Sequence, residues 1–230
     1  MIKLGSNSIG KIFLGSNPIG KAYLGSNLVF QAGGIPTYTP LQYIENPLNS
    51  DAYINTKILT STILGYDIDF MSYDDLNSTT FGCILGGRTS SNTDDFQLST
   101  WTGGWQTDGI LRLGTGGYNY TAHLPAKNTR VNVKLTGTSY MVDLTEYTVS
   151  RPTSLTGYEL YLLALNQQDS AVQNGHGRIY SLKIYSGNTL VRDYVPVLRD
   201  SDNQAGLYDL VTNKFYGSAS STPFVAGPTA

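Results

Sequence analysis

Both tryptophans of the 230-residue chain fall in one short stretch, Trp101-Thr-Gly-Gly-Trp105-Gln-Thr-Asp108, and Tyr118-Asn119-Tyr120 follows soon after. A sugar offers an apolar ring face to an aromatic side chain and its hydroxyls to Asp, Asn and Gln. Trp101, Trp105, Asp108, Tyr118, Asn119 and Tyr120 are therefore the candidate ligand-binding residues, with a glycan as the ligand. Arg88, Asp94 and Asp95 are expected to border the same end. The competing reading takes Trp101 into the core as the end of a strand and uses Trp105 to cap a hairpin, because large aromatics are more often buried than exposed.

Other chemistry finds fewer of its parts. Asp67 and Asp69 share one face of a strand, as a carboxylate pair for glycoside hydrolysis would require. His123 and His176 are the only histidines, no Gly-x-Ser-x-Gly elbow accompanies them, and His176 lies in the turn Asn174-Gly175-His176-Gly177. Gly114-Thr-Gly-Gly117 lacks the lysine and following helix of a phosphate cradle. Asp200-Ser-Asp202-Asn203-Gln204-Ala205-Gly206 alternates hard oxygen donors as a calcium loop does, yet it lacks the closing glutamate and reads as a polar turn. The single cysteine, Cys83, forms no internal disulfide, and no Cys/His set has zinc spacing. No catalytic residue, metal site or cofactor is assigned.

The elements that carry these residues are short and β-rich. Strands are expected at 42–45, 52–56, 66–71, 80–86, 96–100, 110–113, 130–136, 140–144, 160–165, 178–185 and 189–195, separated by clusters of Gly, Asn, Asp and Ser. Tyr180, Leu182 and Ile184 alternate with Ser181 and Lys183, and Ser186-Gly187-Asn188 turns the chain into the next strand. The segment from Tyr158 to Leu165 reads as one strand buried on both faces. The fold class is all-β, a two-sheet antiparallel sandwich over residues 41–230. Residues 32–40, with a Gly pair and two prolines, read as a linker.

Before the linker, Leu-Gly-Ser-Asn recurs at residues 4–7, 14–17 and 24–27. Each copy reads as a short strand closed by a turn, since Gly and Asn take positive φ cheaply. A β-meander of three such units has apolar residues on both faces, cannot cover itself, and is expected to dock or self-associate. Leu4, Ile9, Phe13, Leu14, Ile19, Tyr23 and Leu24 are the attachment or oligomerisation residues, and residues 1–31 the module. A homo-oligomer is expected; trimers suit fibres, but the sequence does not set the number. The bland alternative packs the meander on the main domain as an extra sheet.

Charged residues make up 14% of the chain, against about 25% in an average soluble protein. The net charge of −2 gives no basic face for nucleic acid or an anionic membrane. No apolar run approaches a membrane span, and the N-terminus has no secretory pattern, so synthesis in a cytoplasm is expected.

The C-terminal text Gly177-Arg-Ile-Tyr-Ser-Leu-Lys-Ile-Tyr185, Leu190-Val-Arg-Asp-Tyr-Val-Pro196, Gly206-Leu-Tyr-Asp209 and Asn213-Lys-Phe-Tyr216, with Leu41-Gln-Tyr-Ile-Glu45 and Ala52-Tyr-Ile-Asn-Thr56, resembles concanavalin A-like, laminin-G-like sandwich domains. These resemble domains carried by virion proteins of phages of gut bacteria and by surface proteins of those bacteria. The Leu-Gly-Ser-Asn segment separately resembles N-terminal pieces of phage structural proteins. The resemblance implies a jelly-roll sandwich on a virion surface, in a non-enzymatic head fibre, capsid decoration or tail-associated adhesin, with capsid or tail proteins as partners of the repeats. A stand-alone carbohydrate-binding surface protein is the alternative, and a glycoside hydrolase a weaker one. Glucanases of similar fold use a Glu-x-Asp-x-x-Glu strand, whereas this chain has Asp67-Ile-Asp69-Phe70-Met71-Ser72, with no glutamate and a serine at the third carboxylate's place.

Overall fold

The computed structural model describes residues 38–74, 82–90, 94–100, 109–114, 120–155 and 157–230 with their side chains, and the backbone of Asn119 and of the short strands within residues 1–31. Among the described residues there is no helix, and two sheets face each other as a sandwich. No helix is long and apolar enough to cross a membrane.

The larger sheet runs in the order Thr145–Thr148, Ser139–Val142, Arg130–Thr136, Leu64–Ser72, Gly177–Ser186, Thr189–Arg199, Gln204–Asp209 and Lys214–Tyr216, all antiparallel. Its centre is Leu64–Ser72, where Leu64, Tyr66, Ile68 and Phe70 are buried and the intervening Asp67 and Asp69 face out. The period of two therefore puts Leu64, Tyr66, Ile68 and Phe70 on the core side and Met71 on the outer face with the two aspartates. Tyr38–Pro40, Ile44–Asn46 and Val225–Ala226 add short strands to this sheet.

The smaller sheet runs Asn119–Thr121, Ile110–Gly114, Asp95–Ser99, Cys83–Arg88, Glu159–Leu162 and Ile54–Leu59. Phe96, Leu98, Leu111, Leu113, Leu160 and Leu162 turn to the core. Each such fully buried side chain contributes about 1.5–3 kcal/mol of burial free energy. Two buried tyrosine hydroxyls tie the layers together. Tyr140 donates to the Ala122 carbonyl at 2.7 Å and Tyr194 to the Thr56 carbonyl at 3.3 Å.

Two local readings change. The expected single strand over 158–165 breaks at Leu163, whose φ is +62°. Before it, Glu159–Leu162 pairs antiparallel with Cys83–Arg88; after it, Leu165–Gln167 pairs parallel with that same strand and then hairpins to Ser170–Val172. A branched side chain in the left-handed region is costly, and here the buried Leu163 ring of contacts, with its N–H on Ile84 and its carbonyl on Gly175, holds it there. The second change is at Tyr180. A bulge between Asp69 and Phe70 shifts the register from Ser181 to Ile179, so Ile179 enters the core with Leu182 and Ile184 while Tyr180 is only partly buried.

The repeat pairs hairpin by hairpin: Lys3–Leu4 with Asn7–Ser8, Ile12–Leu14 with Asn17–Ile19, and Lys21–Leu24 with Asn27–Gln31. Each Leu of Leu-Gly-Ser-Asn pairs with the Asn three residues on. The unit is thus a complete two-stranded hairpin across Gly-Ser, where the sequence suggested one strand of a shared meander.

Candidate functional site

Asp95–Ser99 alternates polar and apolar residues, and because Phe96 and Leu98 take the core, Asp95, Gln97 and Ser99 must face away from it. These three are nonetheless 3%, 2% and 1% exposed. Asp95 Oδ1, Gln97 Oε1 and Ser99 Oγ have no hydrogen-bond partner in the protein. Buried polar atoms are rarely left so, and each unmade bond costs about 1–3 kcal/mol. Three such atoms in a row along one strand make a buried polar strip that ordered water or a hydroxyl-rich molecule would complete.

Neighbouring strands supply the donors. Arg112, opposite Gln97 in the register, sets Nη1 3.6 Å from Asp95 Oδ2. Arg88 sets Nη1 4.0 Å from Asp95 Oδ1, while its Nε and Nη2 both donate to Gln167 Oε1, at 3.1 and 2.7 Å. Gln97 Nε2 donates to Gln173 Oε1 at 3.5 Å. Gln167 and Gln173 reach this place through the Leu163 corner, which folds the 165–172 hairpin against Cys83–Arg88. Burial pushes the Asp95 carboxyl up to about 6, and the Arg112 and Arg88 guanidiniums offset only part of that rise. A Cβ on Gly86 would meet Leu165 at 2.7 Å and the Cys83 Sγ at 2.9 Å, so those buried side chains would have to shift to admit one. Burial raises the Cys83 thiol well above its ordinary value, so it is an unreactive packing group.

Toward the sheet's other edge the same outer face carries aromatic and polar groups. Tyr161 sits between Gly86 and Asn55 in the register, and its ring stacks on Tyr53 at 4.8 Å. Glu159 accepts hydrogen bonds from Asn55 and from Lys57 Nζ at 3.0 Å. Lys57 itself has φ +59°, with its N–H on Asn55 Oδ1.

Of the sequence-predicted ligand residues, Trp101, Trp105, Asp108 and Tyr118 lie outside the described residues. Their points of attachment do not: Trp101–Asp108 continues from the Ser99/Ile110 end of a strand pair and Tyr118 from the Gly114 end. Those ends are about 13 Å apart along a four-step strand. Arg88 and Asp95 lie toward the Gly114 end, so the register puts them away from the root of the tryptophan stretch. Asn119 pairs with Arg112, which sets it at a register position beside the polar strip. Tyr120 pairs with Leu111, packs against the core, and exchanges hydrogen bonds between its hydroxyl and the Ser150 backbone. Tyr120 is therefore a structural residue, because both its ring and its hydroxyl are engaged. Of the attachment residues, Leu4, Phe13, Leu14, Ile19, Tyr23 and Leu24 fall on the described hairpin strands, and Ile9 lies outside the described residues. Gln97, Ser99, Arg112, Gln167 and Gln173 were not singled out from sequence; the alternation Asp95-Phe96-Gln97-Leu98-Ser99 was the available signal.

The catalytic alternatives meet engaged groups. Asp69 is held by the Arg130 fork at 2.8 and 2.6 Å, and Asp67 accepts from Asn132 Nδ2 at 2.8 Å. The hydrogen bond between Asp74 and His176, 2.7 Å at Nδ1, raises the histidine's pKa against the smaller opposing effect of burial, and the Ser50 backbone adds to the rise. His176 Nδ1 is thus engaged by the Asp74 carboxylate. Asp200 accepts from the Thr39 N–H and hydroxyl, and Asp202 from the Arg199 fork. The cavity beside Asp74 is about 10 Å³, room for one water and no sugar ring.

No family model matches this chain, and no curated protein matches it in sequence. In structure it is similar to a solved Bacteroides ovatus protein described as a "putative carbohydrate binding protein", with a TM-score of 0.53 and 12% identity over 83% of this chain. The match spans 60% of that protein's length. At this identity the likeness is one of fold: the chain is an all-β sandwich.

Proposed function

We propose that the sandwich is a non-enzymatic carbohydrate-binding domain whose ligand lies along the outer face of the smaller sheet. The observation that carries this reading is the row of Asp95 Oδ1, Gln97 Oε1 and Ser99 Oγ, buried and without a hydrogen-bond partner, beside Arg88 and Arg112. A sugar's hydroxyls donate to such acceptors and accept from guanidinium N–H groups. The Tyr53/Tyr161 pair on the same face offers rings to the sugar's apolar side. The fold likeness to a protein described as carbohydrate-binding supports the same class of ligand. Trp101, Trp105 and Asp108, carried on from the Ser99 end of the strip, are the second set to test.

The experiment is a glycan array probed with the full chain, with an Arg88→Ala/Gln97→Leu double variant and with a Trp101→Ala/Trp105→Ala variant. Binding lost in the first double variant, with an unchanged circular dichroism spectrum, supports the strip. Binding lost only in the tryptophan variant moves the site to that stretch, and full binding in both refutes the proposal.

The setting we propose for this domain is a phage particle, as a head fibre, capsid decoration or tail-associated adhesin attached through residues 1–31. This rests on the resemblance of the Leu-Gly-Ser-Asn segment and of the 177–216 text. Mass spectrometry of purified particles tests it: the chain co-purifies at stoichiometric amounts, or the setting is wrong.

A further inference from the structure

We infer that the three Leu-Gly-Ser-Asn hairpins are a self-association module, and that their partner is the same segment of other copies of this chain. This is independent of the carbohydrate-binding reading. Each hairpin is a separate two-stranded sheet, and among the described residues none pairs with its neighbour or with a sandwich strand. A lone two-stranded hairpin is marginally stable in water. Among the described residues the outer edges of each hairpin pair with no other strand, and such rows of N–H and C=O groups template pairing with another strand.

The register narrows the choice of partner. Leu4 with Asn7, Leu14 with Asn17 and Leu24 with Asn27 repeat the same innermost pair every ten residues. A partner that satisfies all three hairpins at once needs edges at that same spacing. Another copy of the segment has it by identity, and three weak contacts made together bind far more tightly than one. Charge bears on the form of the assembly. Residues 1–31 contain Lys3, Lys11 and Lys21 and no acidic residue, so with a net −2 overall the rest of the chain carries −5. Like-charged segments brought together repel, and lysines on strand edges oppose open-ended growth. A finite oligomer that tightens as salt screens the lysines is the outcome this predicts.

Sedimentation velocity of the full chain at low and high salt tests the inference, beside a chain lacking residues 1–31 and a full-length Phe13→Pro/Ala22→Pro variant. Those prolines remove backbone N–H donors within Ile12–Leu14 and Lys21–Leu24. The expected result is an oligomer for the full chain, at least as tight at high salt, and monomers for both variants. A monomeric full chain, or an oligomer that survives in either variant, overturns it. An oligomer dissolved by salt overturns it too, since that behaviour belongs to the +3 segment docking on the −5 remainder of another copy.

Discussion

Arg88 directs both Nε and Nη2 at the single Oε1 of Gln167, at 3.1 and 2.7 Å, and so stands 4.0 Å from Asp95 Oδ1, beyond hydrogen-bond reach. A buried guanidinium beside a carboxylate would otherwise fork onto it, since charge-assisted pairs are the stronger ones. The amide of Gln167 therefore keeps the acceptor on Asp95 open. Replacing it with leucine frees the guanidinium to close on Asp95. Gln167→Leu should lower glycan affinity by about tenfold or more, the equivalent of one hydrogen bond. Calorimetric titration with an oligosaccharide selected on the array checks this.

Gln97→Leu separates function from stability. The amide oxygen is buried without a partner, so an apolar group of similar shape removes a standing cost. Stability by urea denaturation should stay level or rise by about 1 kcal/mol, while glycan binding is lost. A loss of stability by several kcal/mol would mean that Gln97 is instead a structural keystone.

Asp95 sets a pH dependence of definite sign. Burial raises its carboxyl from 3.8 to about 6 in the folded chain, so between those values the folded state holds a proton that the unfolded state has released. The associated stability is complete below about pH 4 and is lost as pH rises through about 6. A two-unit difference corresponds to about 3 kcal/mol. Urea midpoints from pH 4 to 7 should show this decline, and Asp95→Asn should remove it.

The His176 clasp acts in a higher window. Its pKa lies above the ordinary 6.5 because the Asp74 carboxylate accepts from the ring, and Asp74 also accepts from the His176 N–H at 2.8 Å. The bond ties Gly177–Ser186 to the end of Leu64–Ser72, where Tyr73 N–H donates to the His176 carbonyl. Its contribution is full below pH 6.5 and fades as pH rises through the folded-state value. Melting temperature should fall over that range in the native chain and stay flat there in His176→Gln, which starts lower.

Much of the sandwich was legible because its strands obey a period of two. Leu64, Tyr66, Ile68 and Phe70 could be read inward from the text, and Gly187-Asn188 is the two-residue loop between Ser186 and Thr189. What failed were places where tertiary contacts override the local pattern. Nothing in Leu-Tyr-Leu-Leu-Ala-Leu announces that Leu163 takes φ +62°, since only its contacts with Ile84 and Gly175 hold it there. The bulge that turns Tyr180 outward is likewise a register event between strands far apart in sequence. The strip was hidden for another reason. Gln97 and Arg112 are ordinary strand residues until the register sets them opposite each other and Gln173 reaches across from a distant hairpin.

The proposed site lays a glycan along Asp95, Gln97 and Ser99. Amide chemical shifts of the labelled full chain, followed during titration with an array-selected oligosaccharide, test it most directly. The largest changes are expected on Asp95–Ser99, Ile110–Gly114 and Cys83–Arg88, three adjacent strands of the smaller sheet. Changes centred instead on the larger sheet's outer face, around Asp67, Asp69 and Tyr180, would contradict it.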